Sequence, residues 1–136
     1  MGAAGWVLAI DPGRDKAGFA LLDEQGAVVE SGITAAGGLR DRVAALVAGR
    51  AVKALALGKG TNSAPLAAQL RDLDIPIHFV DEYETSREAR ALYFQEHPPR
   101  GWRRLIPLGL QLPSRPIDDY AAILIGRRFL ARGRAP

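Results

Sequence analysis

The stretch WVLAIDPG, residues 6–13, decides the fold, because a short apolar run ends there in an acidic turn. Residues 6–10 form an apolar run of a length typical of a buried strand. The Asp-Pro-Gly that follows predicts a sharp turn. The sequence therefore predicts a buried first strand that presents a carboxylate, Asp11, at its carboxyl end.

Two more strands are predicted directly after this turn. Residues 18–22 and 27–33 are apolar segments, and the Asp-Glu-Gln-Gly at residues 23–26 between them predicts a hairpin turn. The first three strands are therefore expected to form an antiparallel meander.

The rest of the chain alternates helices with two further strands. The patterns predict helices over residues 39–48, 64–73, 85–95 and 117–132, and strands over residues 52–57 and 75–80. Three antiparallel strands followed by two parallel ones predict an α/β fold, a five-stranded mixed sheet with helices on both faces. This is the strand order of the RNase H-like fold. The whole chain, residues 1–136, is expected to form a single domain.

The composition limits the chemistry of any metal site. There is no cysteine and there are only two histidines, so thiolate sites and typical structural zinc sites are excluded. Hard cations such as Mg²⁺ or Mn²⁺, held by carboxylate oxygens, are the natural expectation.

The charge and hydropathy patterns bear on partners and location. No segment reaches the ~18 apolar residues of a membrane span, and no secretion signal is present, so we expect a cytoplasmic protein. Eighteen basic residues against fifteen acidic ones give a net charge of +3, and the basic residues concentrate after residue 100. This distribution fits a polyanionic partner about as well as it fits a slightly basic soluble surface.

Three acidic residues at the ends of predicted elements are candidate metal ligands. Asp11 ends the first strand, although an aspartate before Pro-Gly also initiates turns. Glu82 follows the fifth strand, although an acid there also favours the start of the next helix. Asp118 falls in the middle of the apolar face of the last helix and Asp119 at its edge; a helix cap is the alternative role for Asp118.

Basic residues near these acids are candidate contacts for nucleic acid. The proline-rich segment 97–116 predicts a long irregular loop. The loop contains several arginines and a tryptophan; the arginines can bind phosphates and the tryptophan can stack on a base. The alternative is that the tryptophan anchors the loop on the core. The candidates are Arg14, Lys16, Lys59, Arg100, Trp102, Arg103 and Arg104.

The turn over residues 11–18 has a second interpretation. A similar glycine-containing turn cradles phosphate in actin-like and sugar-kinase ATPases. Those enzymes pair two such domains around the nucleotide, and 136 residues hold only one. The length of the chain therefore disfavours this interpretation.

Four motifs in order resemble the YqgF family of RuvC-like, RNase H-fold nucleases over nearly the whole chain. They are Asp11-Pro12-Gly13 with Gly18-Phe19-Ala20, Leu57-Gly58-Lys59-Gly60-Thr61, Val80-Asp81-Glu82 with Thr85, and Ile117-Asp118-Asp119-Tyr120-Ala121-Ala122. The resemblance implies a metal-dependent nuclease with Asp11, Glu82 and Asp118 as ligands of Mg²⁺ or Mn²⁺, two ions being expected. Tyr83, Lys59 and Gly60 depart from the family pattern, which indicates a divergent branch.

The resemblance leaves the substrate open. RNA is the leading expectation, because the family is associated with maturation of pre-16S ribosomal RNA. A structure-selective DNA nuclease of the Holliday junction resolvase type is the second. A catalytically silent nucleic-acid-binding module is the third, and the presence of all three acids argues against it. The oligomeric state is open, with a homodimer among the possibilities.

Overall fold

The computed structural model describes residues 5–60, 62–81, 85–101, 105 and 117–133, and these contain a five-stranded mixed sheet of order β3-β2-β1-β4-β5. Strand β1 pairs antiparallel with β2 and parallel with β4, β2 pairs antiparallel with β3, and β4 pairs parallel with β5. The strands are β1 Trp6–Asp11, β2 Lys16–Leu22, β3 Val28–Ala35, β4 Val52–Gly58 and β5 Ile77–Val80. The predicted mixed sheet is confirmed.

Helices cover both faces of this sheet. They are α1 Leu39–Val47, α2 Ser63–Leu70, α3 Thr85–Glu96 and α4 Asp118–Gly133, with 3-10 turns at Ala36–Gly38 and Arg71–Leu73. Residues of α1 and α2 pack in one core, and residues of α3 and α4 pack in the other. None of the helices in the described part of the chain is long and apolar enough to cross a bilayer.

Strand β1 separates the two cores. Val7 and Ala9 belong to the core under α3 and α4, whereas Leu8 and Ile10 belong to the core under α1 and α2. All four side chains are fully buried, which explains the unbroken apolar run in the sequence. Because successive side chains of a strand alternate between faces, Asp11 follows Val7 and Ala9 onto the face covered by α4.

The β2–β3 hairpin forms where its sequence predicts. Asp23 Oδ1 accepts hydrogen bonds from the backbone nitrogens of Gln25 (2.8 Å) and Ala27 (3.0 Å). Gly26 has a φ of 89°, a value that glycine adopts at no steric cost.

Strand β5 starts later than the sequence pattern predicts, at Ile77 instead of residue 75. Pro76 has no N–H to donate to a ladder, although its carbonyl still accepts a hydrogen bond from the nitrogen of Leu55 (2.8 Å). The proline therefore sets the start of the strand.

Two arginines of α4 reach the outer edge of β5. Arg132 Nη1 donates to the carbonyl of Phe79 (3.2 Å), and Arg128 Nη1 donates to the carbonyl of Asp81 (2.9 Å). The neighbouring carbonyl of Val80 points the other way and accepts from the nitrogen of Lys59 (2.8 Å). The arginines therefore satisfy carbonyls on the side of β5 that faces away from β4.

Candidate active site at the carboxyl edge of the sheet

The parallel strands β1, β4 and β5 end at one edge of the sheet. Ile10 pairs with Leu57, and Gly58 pairs with Val80, so the strand ends are in register. The residues that follow these strands therefore collect at the same edge. Asp11 is the acidic residue that β1 contributes there, and its side chain is half-buried.

The amino terminus of α4 lies against this edge at Gly18. Gly18 is the partner of Asp11 in the β1–β2 ladder. A Cβ atom on Gly18 would lie 1.9 Å from the carbonyl oxygen of Asp118 and 2.7 Å from the nitrogen of Asp119. Only a glycine allows the helix backbone to come so close. Gly18 therefore brings the start of α4 next to Asp11.

Asp118 is the first residue of α4 and does not cap it. The nitrogen of Ala121 donates to the carbonyl of Ile117 (3.1 Å), which makes Ile117 the capping residue. The cap considered as the alternative role of Asp118 is therefore wrong. Asp118 and Asp119 both lie in the first turn, where the helix dipole favours negative charge.

The predicted orientation of the two aspartates is wrong. Asp119 is only 9% exposed and Asp118 is half-buried, whereas the helical wheel placed Asp118 at the centre of the buried face. The reason is that α4 packs on α3 as well as on the sheet. Tyr120 makes an edge-to-face contact with Tyr93 (centroids 5.7 Å apart), and its hydroxyl donates to Glu96 Oε1 (2.8 Å). Because α3 also covers part of α4, more of the helix surface is buried, and the centre of the buried surface lies on different residues from those that the helical wheel predicts.

The two aspartates nevertheless point to different parts of the sheet. Phe129 lies three turns beyond Asp118 on the same stripe, and its ring is 4.9 Å from that of His78 on β5. Gly126 lies on the stripe of Asp119, and a Cβ there would be 2.5 Å from Leu22 Cδ1 on β2 and 3.0 Å from Ala9 Cβ on β1. Asp118 is therefore on the side of α4 that faces β5, and Asp119 is on the side that faces β1 and β2.

Part of the predicted site lies outside the described residues. Glu82 does, and so do Trp102, Arg103 and Arg104. Within the described ranges, no group of three or more acidic or histidine side chains is placed to hold a metal ion. Asp11 and Asp118, which the fold brings to one edge, are two of the three predicted ligands, and their oxygens are donors that suit Mg²⁺ or Mn²⁺.

Basic side chains flank the same edge. Arg14 and Lys16 follow Asp11 in the β1–β2 turn and the start of β2, Lys59 follows β4, and all three are exposed. Arg100 is also exposed and lies beyond the end of α3. Arg14, Lys16 and Lys59 are thus exposed basic residues in segments that adjoin the edge carrying Asp11.

Two residues of this region were not singled out for these roles from the sequence. Gly18 had a detectable signal, since a glycine inside a strand often marks a close approach of another backbone. Tyr120 had none, because its partners Tyr93 and Glu96 are far from it in the sequence.

Comparisons with known proteins give no match to a family model and none to a curated protein. Solved structures do match. Thermus thermophilus RuvC has a TM-score of 0.58 and 16% identity, covering 94% of this chain and 96% of that chain. T. thermophilus RuvC in complex with Holliday junction substrate has a TM-score of 0.56 and 14% identity, covering 96% and 98%. A ROK family glucokinase from Streptomyces griseus has a TM-score of 0.44 and 20% identity, covering 63% of this chain and 36% of the glucokinase chain.

The two RuvC matches establish the fold. The chain has the RNase H-like fold of RuvC, as the order of its strands predicts. The more specific resemblance to the YqgF family is not confirmed, since no family model matches.

Proposed function

We propose that this protein is a divalent-metal-dependent nuclease that hydrolyses phosphodiester bonds, with Asp11, Glu82 and Asp118 as its metal-binding carboxylates. The observation that carries the proposal is the contact at Gly18, which places the helix turn bearing Asp118 beside the strand end bearing Asp11. This contact supports the proposal because it brings together the backbone segments that carry Asp11 and Asp118, and exposed basic residues adjoin the same sheet edge.

The donor set fits hard divalent cations. Carboxylate oxygens are the ligands that Mg²⁺ and Mn²⁺ prefer. A pair of such ions, when bound, supplies an activated water and stabilises the leaving oxygen of the broken bond. Glu82, which follows β5 in the sequence, is proposed as the third ligand because β5 ends at the same edge as β1.

The protein's own cations are proposed to hold the substrate. Arg14, Lys16 and Lys59 flank the carboxylates and can neutralise phosphates on either side of the broken bond. Trp102, Arg103 and Arg104 are proposed to add affinity through stacking and phosphate contacts.

Two substrates are candidates for this centre. Four-way DNA junctions are favoured by the match over nearly the full length of a RuvC whose structure contains Holliday junction substrate. RNA, and ribosomal RNA processing in particular, rests on the sequence motifs. A junction of near-twofold symmetry would suit a homodimer.

The test is a cleavage assay on three labelled substrates: single-stranded RNA, single-stranded DNA and a four-way junction, each with Mg²⁺ or Mn²⁺. We expect cleavage of at least one substrate that stops on chelation of the metal and is lost in Asp11→Asn. A catalytically silent binding module would leave all three intact and show no carboxylate-dependent binding of Mn²⁺ in calorimetry. That outcome would refute the nuclease.

A further inference from the structure

A small pocket lies on the face of the sheet opposite α4, beside the turn that follows Asp11. Its volume is about 150 Å³. One wall is the β1–β2 turn, and the other is the first two turns of α2. The lining includes Arg14, Ala17, Leu39, Asn62, Leu66 and Gln69.

Hydrogen bonds and tight packing fix the first wall. A Cβ on Gly13 would lie 2.1 Å from the carbonyl oxygen of Lys16, so the turn is closed against itself. The nitrogen of Ala36, another lining residue, donates to the carbonyl of Asp15 (2.9 Å). This bond ties the turn to the segment that leads into α1.

The second wall is fixed at the start of α2. Ser63 is buried, and its hydroxyl donates to the carbonyl of Gly60 (2.7 Å) and accepts from the nitrogen of Gly60 (3.2 Å). Asn62 precedes the helix and makes no side-chain capping hydrogen bond. The pocket is therefore largely formed in advance of any ligand.

The lining combines an apolar floor with a polar rim. Leu39 and Leu66 are buried at the floor, while Arg14, Asn62 and Gln69 are exposed at the rim. Amide and guanidinium groups pair with the edges of nucleobases, and apolar surface accepts their faces. The volume is below the ~300–1,000 Å³ of ordinary small-molecule pockets, which limits the occupant to a group about the size of one base.

The pocket is also close to the proposed catalytic centre. Arg14 is three residues after Asp11, so their Cα atoms are at most about 11 Å apart. A base that belongs to a nucleotide near the cleaved bond can therefore reach the pocket.

We propose that this pocket receives one unpaired nucleobase of the substrate strand, next to the bond that is cleaved. This rests on the proposed nuclease function and adds a sequence-sensing element to it. The base inserts between the β1–β2 turn and α2, with Arg14, Asn62 and Gln69 contacting its edge.

The proposal is tested with a short labelled strand in which one abasic nucleotide is moved a position at a time. The abasic nucleotide keeps its phosphate, so its effect reports on the base alone. Binding is measured by fluorescence anisotropy with Asp11→Asn protein, which does not cut the probe. We expect one position at which the abasic nucleotide weakens binding about five- to 150-fold, the range of a buried base contact.

A pair of tryptophan variants assigns that effect to the pocket. Gln69→Trp fills the rim, and Ala68→Trp adds the same side chain at the adjacent exposed position outside the lining. In Gln69→Trp the position-specific penalty should disappear, and in Ala68→Trp it should persist, with equal melting temperatures in both. If no position of the abasic nucleotide weakens binding, or if the same position still weakens binding in Gln69→Trp, the proposed base pocket is refuted.

The outcome is separable from that of the nuclease proposal. Cleavage by the wild-type protein together with a flat abasic scan refutes the base pocket and leaves the nuclease intact. A penalty that Gln69→Trp removes, in a protein that cleaves none of the substrates, supports the pocket and refutes the nuclease.

Discussion

Replacing Gly18 with alanine should separate Asp118 from Asp11 by pushing α4 off the sheet. The added Cβ would lie 1.9 Å from the carbonyl oxygen of Asp118 and 2.2 Å from its carbonyl carbon. An ordinary carbon–oxygen contact is about 3.3 Å or longer, so the backbone must give way by about 1.4 Å. Both groups are backbone atoms, and no rotation of a side chain can relieve the overlap.

The cost should be visible in both stability and catalysis. Overpacking of this kind destabilises by about 1–3 kcal/mol, which corresponds to a melting temperature several degrees lower. A misplacement of about 1 Å in a catalytic group can lower the rate about 100-fold. We expect Gly18→Ala to lose about that much nuclease activity while remaining folded.

Gly126→Ala is the matched control on the same helix. Its Cβ would meet the side-chain atoms Leu22 Cδ1 at 2.5 Å and Ala9 Cβ at 3.0 Å, about 12 Å along the helix from Asp118. It also gains about 1 kcal/mol of helix propensity, which offsets part of the cost of overpacking, so its melting temperature should fall by less than that of Gly18→Ala. Activity and melting temperature are measured on both variants. Wild-type values for Gly18→Ala would refute the placement of α4 against β2, and equal activity losses in the two variants would refute a local effect at Asp118.

Three further predictions concern individual side chains. Asp11→Asn should lower the cleavage rate at least about 100-fold with the circular dichroism spectrum unchanged, and near-wild-type activity would exclude Asp11 as a ligand. Asp118→Asn should lower the cleavage rate. Asp119→Asn should mainly lower the melting temperature, because it removes the charge of a buried carboxylate that makes a polar interaction. If Asp119→Asn lowers the rate and Asp118→Asn lowers the melting temperature, the proposed roles of the two residues are exchanged. Changing Arg103 and Arg104 together to alanine should weaken binding of a single strand, reduce its salt slope by about 1.4 and leave the rate at saturation unchanged, and an unaltered slope would remove both from the substrate surface.

The fold was predictable because local patterns and long-range pairing agree. The unbroken apolar run in β1 indicates burial on both faces of the sheet. The short turn after Leu22 makes a hairpin the simplest connection between β2 and β3. The parallel strand β4 is apolar over most of its length, as expected for a strand with neighbours on both sides.

The orientation of the last helix was not predictable from its own sequence. A helical wheel identifies the apolar face of a helix but does not show how many other helices or strands pack against it. Tyr120 is buried against α3, and that contact joins segments that are distant in the sequence. The pocket beside Asp11 is a similar case, since Leu39, Asn62 and Gln69 come from separate segments with no common motif.

The hydrogen bonds of Arg128 and Arg132 have a consequence for how copies of this protein can associate. An unpaired strand edge is a template on which another chain can add a strand. At β5, an incoming strand would first have to displace two guanidinium groups from the carbonyls of Phe79 and Asp81. The two arginines of α4 therefore oppose the addition of a strand at the β5 edge.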